Sequence, residues 1–91
     1  MQTGSAARPR LARHVRLTFD RTRDRHVLLT PEQVTVLNGT GAAILGLCDG
    51  RRTVANIVGE LRGQYDQVDD EEVRFFLAQV AARRCLEAGD G

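Results

Sequence analysis

The sequence of 91 residues predicts one small α+β domain, in which a three-stranded antiparallel sheet precedes a bundle of three helices. Apolar residues alternate with polar ones in the first third of the chain and recur at helical spacing in the rest, and the chain is too short for two cores. Hydrophobic residues make up 42% of the chain and charged residues 27%, with a formal net charge of +1. This balance is typical of a globular protein and excludes an intrinsically disordered one.

The ends of the chain are expected to lie outside the folded domain. Residues 1–12 mix small, polar and basic side chains without a period, which predicts a flexible basic tail. The folded domain is then expected over residues 13–88, with a second short tail at 89–91.

Three strands are predicted next. Residues 14–19 alternate strictly, with Val15, Leu17 and Phe19 on one side. Residues 26–29 favour a strand that ends before Pro31, and together the two strands predict a hairpin. Residues 33–37 alternate again and give a short third strand.

The first helix is predicted over residues 38–48. Asn38 is a good N-cap residue, and the helix is expected to close at Asp49–Gly50 with a glycine after its C-terminus. Gly39 and Gly41 each cost about 1 kcal/mol relative to alanine in a helix interior. A close approach of another chain segment is a reason for such glycines.

The second and third helices show clear apolar stripes. Thr53 caps the second, whose stripe contains Val54, Ile57, Val58, Leu61 and Tyr65. Four carboxylates at 69–72 suit the positive end of the third helix, with Asp69 and Glu72 resembling a capping box. Its stripe contains Val73, Phe76, Leu77 and Val80, with Phe75 beside it. This helix is expected to end near Arg83–Arg84, before an extended piece at 85–87.

Catalysis finds little support in the sequence. The two histidines, His14 and His26, could face each other across the hairpin, but no carboxylate or thiolate stands at ligand spacing to complete a metal site. The acidic residues 69–72 point to different sides of a helix and cannot converge on one atom. No nucleophile or phosphate-binding motif is present. We therefore expect a protein that is not an enzyme and has no cofactor and no metal.

The cellular setting is predicted from equally simple features. Cys48 and Cys85 lie far apart in apolar stretches, which is typical of free thiols packed in a core in a reducing compartment. No apolar run approaches the roughly 20 residues that span a bilayer, and no hydrophobic signal segment is present. A cytoplasmic protein without a membrane partner is expected.

Nucleic-acid binding is the main alternative to protein binding. Strands followed by three helices with short turns can form a DNA-binding winged helix-turn-helix. However, the third helix, which would enter the groove, opens with four carboxylates that would meet phosphates. Basic residues concentrate in the first 30 positions, with seven arginines against two aspartates. We expect no nucleic-acid partner, with DNA binding kept as the alternative.

Protein or peptide recognition remains. A sheet of three strands has exposed edges, and an edge beside a broad apolar helix face can accept an extended peptide as another strand. The third strand and the third helix supply these two parts. The alternative for most of their apolar residues is a place in the core, and Phe75, off the main stripe, is the best candidate for exposure.

The sequence resembles the pyrroloquinoline quinone biosynthesis protein D (PqqD) family over about residues 8–88. The resemblance is carried by Val15–Leu17, by Val27–Leu29 and above all by residues 37–54, which contain Leu37-Asn38, Ala42-Ala43-Ile44-Leu45 and Leu47-Cys48-Asp49-Gly50 before Thr53-Val54. Gly39 and Gly41 depart from the more helix-favouring residues common in similar proteins.

The resemblance implies a winged-helix-like peptide chaperone, a precursor-peptide recognition element. Family members bind the precursor peptide PqqA and deliver it to PqqE, a radical S-adenosylmethionine enzyme that joins a glutamate to a tyrosine in that peptide. Related domains take the peptide as a strand beside their third strand and against their third helix. The expected peptide-binding residues are Val34, Thr35, Val36, Leu37, Asn38, Val73, Phe75, Phe76, Leu77 and Val80. A monomer is expected, or a domain-swapped homodimer, since the edge strand and a separable hairpin permit one.

Overall fold

The computed structural model describes residues 7–89, which form two antiparallel sheets and three helices. In chain order the elements are β1 (Pro9–Leu11), β2 (Arg16–Asp20), β3 (Arg25–Leu29), β4 (Val34–Leu37), α1 (Gly39–Gly46), α2 (Val54–Gln64), α3 (Asp70–Ala82) and β5 (Leu86–Ala88). The predicted α+β class, the three predicted strands and the three predicted helices are all found. The second sheet was not predicted.

The larger sheet has the strand order β2-β3-β4 and is built from two hairpins. In the first turn the Asp20 carboxylate accepts hydrogen bonds from the backbone N–H groups of Thr22 and Arg23 and pairs with the Arg23 guanidinium at 2.6 Å. The hydrogen bonds from Arg23 hold the pKa of Asp20 below its ordinary value. The prediction that Val15, Leu17 and Phe19 share one side of the first strand does not place all three in the core. Phe19 is exposed, and its ring packs edge-on against the His26 ring with 5.0 Å between the ring centroids.

The smaller sheet corrects the predicted tail. β1 pairs with β5, with Pro9 opposite Ala88 and Leu11 opposite Leu86. Pro9 is fully buried, and the Ala12 N–H donates to the carbonyl of Cys85 at 2.9 Å. Residues 7–12 therefore belong to the folded domain, because an extended partner strand at the other end of the chain satisfies their backbone. The predicted tail lies outside the described residues over 1–6.

The core is formed where the helices meet the inner face of the larger sheet. Leu45, Ile57, Leu61 and Leu77 have almost no exposed surface, and Leu28 brings β3 into the same cluster. Tyr65, predicted to continue the stripe of α2, instead lies just past the helix as its C-cap and is exposed. The tyrosine ring is thus left at the surface between α2 and α3.

The helix caps follow the sequence with two corrections. Asn38 caps α1, and Thr53 forms a capping box with Asn56 on α2. The Asp69 carboxylate accepts from the backbone of Glu71, so Asp69 caps α3 alone without the predicted Glu72 partner. α1 ends at Gly46, earlier than predicted. Gly50, with φ +80°, serves a later turn in which its backbone lies against Gly89.

Gly41 lets α1 approach α3. A Cβ at this position would lie 3.2 Å from the Phe76 ring and 3.1 Å from the Asn38 side-chain oxygen, both tighter than ordinary van der Waals contact. A Cβ at Gly39, two residues earlier, would meet no such atom within 4 Å. The expectation that a close approach explains these glycines is therefore confirmed for Gly41 and wrong for Gly39.

α3 ends in a Schellman motif with an arginine at the left-handed position. The Cys85 N–H donates to the Val80 carbonyl and the Arg84 N–H to the Ala81 carbonyl, which are the two bonds that define this motif. Arg84 has φ 61°, where glycine is the usual residue because a Cβ is strained there. The helix therefore ends with the hydrogen bonds of this motif, although the residue at its left-handed position is strained there.

Replacing Arg84 with glycine is expected to raise the free energy of unfolding by about 1 kcal/mol, because relief of left-handed strain exceeds the added entropy of the unfolded chain. Urea unfolding monitored by circular dichroism measures this difference. Arg83→Gly is the control, since Arg83 has φ −86° and gains nothing from glycine. Equal or lower stability of Arg84→Gly would contradict the argument.

The two glycines of α1 form a matched pair for a second test. Gly39→Ala is expected to raise the free energy of unfolding by up to about 1 kcal/mol through helix propensity alone. Gly41→Ala is expected to gain less than this, or to lose stability, because its methyl group displaces the Phe76 ring. Urea unfolding gives both values, and resonances of the Phe76 ring should shift in Gly41→Ala only. Equal stabilisation by both alanines would show that Gly41 is not needed for the contact.

Candidate functional site

β4 is an edge strand of the larger sheet. Within residues 7–89 it pairs only with β3, with Leu28 opposite Thr35 and Leu29 opposite Val34. At the turn between β3 and β4 the Thr30 N–H donates to the Gln33 carbonyl, so Thr30 and Gln33 form a hydrogen-bonded pair. Because such pairs alternate along an antiparallel ladder, the backbone N–H and C=O groups of Val34 and Val36 point away from β3, towards the free edge.

The C-terminal half of α3 runs beside this free edge. The Arg83 guanidinium donates to the Thr35 hydroxyl at 3.2 Å and so links the end of the helix to the strand. Between the two elements lies an open cavity of about 190 Å³, floored by Leu28 and Leu37 and walled by Phe76 and Val80. We call this space, with Thr35, Gln79 and Arg83 at its rim, the strand–helix groove.

A second cavity of about 280 Å³ lies beyond Phe76, among the first turn of α1, the end of α2 and the start of α3. Asn38, Gly41 and Phe76 form its side nearest to β4. Tyr65 and Val68 cover its far side, and Asp69 and Glu72 lie at its rim. We call it the interhelix cavity. The Phe76 ring borders both spaces, so together they form one recess along α3.

The strand residues predicted for the site divide by face. Val34 and Val36 have side chains that are 45% and 50% exposed on the outer face, so only their backbone faces the free edge. Thr35 and Leu37 alternate with them and line the groove. Asn38 lines the interhelix cavity, while its side-chain oxygen accepts from the Gly41 N–H at 2.7 Å and is therefore occupied by the helix cap.

The helix residues predicted for the site also divide. Phe76 is half-buried and Val80 buried, and both line the groove, whereas Val73 lines the interhelix cavity. Leu77 has no exposed surface and packs in the core behind this wall. Phe75 is 65% exposed and lines neither cavity, because it lies about 100° around the helix from Phe76.

Several lining residues were not predicted from the sequence. The sequence places Leu28 in the second predicted strand and Tyr65 in the apolar stripe of the second helix. Arg83 is predicted only as a residue near the end of the third helix. A signal for Arg83 does exist, because Phe76, Val80 and Arg83 are spaced by four and three residues and so share one face of α3.

The residues considered above for metal binding or catalysis do not come together in residues 7–89. His14 precedes β2, whereas His26 pairs with Phe19 near the other end of the hairpin, so the suggested closeness of the histidines is wrong. Burial, with a smaller contribution from Asp49, raises the pKa of the Cys48 thiol to about 12, which keeps this thiol protonated. Over residues 7–89 no group of three potential ligands could hold a metal ion.

None of the helices within residues 7–89 has the length and hydropathy needed to cross a membrane. Both cysteines are free and buried, as their apolar surroundings in the sequence predicted.

PQQ synthesis proteins of several bacteria align with most of the chain. The chain is 38% identical over 80 residues to the PqqA binding protein of Rahnella aquatilis, covering 86% of this chain and 84% of that protein. It is 42% identical over 81 residues to the PqqA binding protein of Pseudomonas aeruginosa PAO1, covering 87% and 88%. It is also 43% identical to the bifunctional coenzyme PQQ synthesis protein C/D of Methylorubrum extorquens, of which it spans only 22%.

Two solved structures share the fold. The PqqD truncation of Methylobacterium extorquens PqqCD, a functional and stand-alone recognition element for ribosomally synthesised and modified peptides, gives a TM-score of 0.68 at 43% identity and covers 87% of each chain. TbiB1, solved with the TbiA(beta) leader peptide, gives 0.67 at 24% identity over 86% of this chain and 94% of that one, and shows likeness of fold.

The model of the family "Coenzyme PQQ synthesis protein D (PqqD)" matches residues 25–86, a range that contains β3, β4, all three helices and both cavities. The matched range and the identities above show that the chain belongs to the PqqD family.

Proposed function

We propose that this chain is a non-catalytic peptide-binding domain of pyrroloquinoline quinone synthesis that binds the precursor peptide PqqA. The observation that carries the proposal is the free edge of β4, bordered by the apolar wall of α3. The names of the relatives support the choice of ligand, because the Rahnella and Pseudomonas proteins are PqqA binding proteins. An arrangement of strands followed by three helices also suits the winged-helix-like description.

The peptide binds as an extended strand on β4. Its backbone pairs with the N–H and C=O groups of Val34 and Val36, which gives affinity without dependence on sequence. Its side chains alternate, so every second one points into the strand–helix groove against Phe76 and Val80. These apolar contacts provide selectivity, since each requires a side chain of suitable size.

The bound peptide is presented to the radical S-adenosylmethionine enzyme PqqE. A strand added at β4 is held over only the few residues that pair with it, so the rest of the precursor stays accessible to an enzyme. A single copy of the chain supplies both the edge and the wall, and a monomer is therefore sufficient for binding. Catalysis belongs to the enzyme, which this domain serves by raising the local concentration of its substrate.

An NMR titration with the Pseudomonas aeruginosa PqqA peptide tests the site. Amide shifts are expected at residues 34–37 and along the groove face of α3. If those amides stay unmoved while other regions respond, or if nothing responds, the proposed site is wrong.

Val36→Pro is expected to weaken PqqA binding at least about tenfold, because it removes an N–H that faces the free edge while leaving the bonds to β3 intact. Isothermal titration calorimetry measures the affinity. Val36→Thr is the matched control, since it retains the N–H and a β-branched side chain on the outer face, and it should bind normally. Equal loss in both variants would indicate that the side chain, and not the backbone, contacts the peptide.

Phe76→Ala and Phe75→Ala separate the two neighbouring phenylalanines of α3. Phe76→Ala is expected to weaken peptide binding roughly tenfold, because the groove loses its central wall. Phe75→Ala should leave the affinity unchanged, because its side chain lies outside both cavities. Circular dichroism confirms that each variant is folded before calorimetry. A larger loss with Phe75→Ala would place the peptide on the outer side of α3.

A further inference from the structure

Arg83 stands at one end of the recess without a carboxylate partner. Its guanidinium donates a hydrogen bond to the neutral hydroxyl of Thr35 at 3.2 Å, and no carboxylate within residues 7–89 forms an ion pair with it. By contrast Arg74, earlier along α3, is paired with the Asp70 carboxylate at 2.8 Å. The guanidinium of Arg83 is thus available to an anionic group that enters the groove beside Thr35.

The opposite end of the recess has the opposite charge. Asp69 and Glu72 lie at the rim of the interhelix cavity, and the walls between them and Phe76 include the apolar side chains of Ile44 and Val73. An acidic side chain is disfavoured there by like charge, whereas an apolar one fits the cavity of about 280 Å³. The recess therefore distinguishes its two ends by charge, with an apolar cavity next to the acidic end.

The spacing between the two ends follows from the helix. Arg83 lies seven residues beyond Phe76 and ten beyond Val73, which is about 10 to 15 Å at 1.5 Å per residue. An extended chain advances about 3.3 Å per residue, so four residues span about 13 Å. A separation of two peptide residues is too short for this distance and one of six is too long. Only an even separation places both peptide side chains on the face that points into the groove.

The direction follows from the sheet. β4 runs from Thr35, beside Arg83, towards Asn38, beside the interhelix cavity. Every pairing in this sheet is antiparallel, so an added strand that continues the pattern runs from the cavity towards Arg83.

We infer that the recess selects a peptide segment in which an apolar residue, seated in the interhelix cavity, is followed four positions later by an acidic residue that pairs with Arg83. This inference rests on the proposed function and names the chemistry of the segment that the site reads. Arg83 is then the residue that sets the register of the peptide on β4.

Charge reversal tests the pairing. The probe is the Pseudomonas aeruginosa PqqA peptide, with each acidic residue replaced singly by lysine, and affinities are measured by calorimetry with the unchanged domain and with Arg83→Glu. Arg83→Glu is expected to weaken the unchanged peptide roughly tenfold. One lysine peptide, weakened on the unchanged domain, should regain affinity on Arg83→Glu. Arg21→Glu, an equal change of charge in the hairpin turn, should alter no affinity beyond about twofold.

A second measurement tests the spacing. Alanine at the apolar position four residues before the restored acid should weaken binding and abolish amide shifts around the interhelix cavity, at Thr40 and Val68. The inference is overturned if Arg83→Glu binds the unchanged peptide as tightly as the unchanged domain does, if no lysine peptide regains affinity, or if the alanine has no effect. In each of these cases, normal amide shifts along the groove would still support the proposed function. Absence of any groove shift with the unchanged peptide would overturn both.

Discussion

The architecture depends on how α3 divides its apolar residues between two neighbours. Val73 and Leu77 are buried against α1, α2 and the sheet, which fixes the axis of the helix. Phe76, which lies beside them on α3, is only half-buried and faces β4 across the strand–helix groove. The recess therefore lies along the border of the core, where Phe76 is only partly covered by its neighbours.

This division explains why an edge strand stays open without being a hazard. A long flat hydrophobic edge invites association with other chains, but β4 has only four residues and is followed at once by the capped start of α1. Its inner side is screened by α3 and Arg83. A single extended strand is therefore the shape that fits between the edge and the helix.

Much of the fold follows from local sequence. Period and capping residues gave the three helices and the larger sheet to within a few residues, because Asn38, Thr53 and Asp69 act on the backbone next to them. The sheet of β1 and β5 was missed because its two strands are three residues each and lie almost the whole chain apart. The site was predicted as individual residues of β4 and α3, but without the division of these residues between groove, core and surface. Tertiary packing fixes the rotation of α3 against the sheet. This rotation decides that Leu77 is buried, that Phe75 points to solvent and that Arg83 reaches Thr35.

The pairing of β1 with β5 has a consequence for any larger protein that contains this domain. Since Pro9 lies opposite Ala88, a chain that enters at one end and a chain that leaves at the other do so at neighbouring points. A covalently joined enzyme would be tethered at the same spot whether it came before or after the domain in the gene. Fusion in either order, or relinking of the two ends with a short loop, is thus compatible with an unchanged groove.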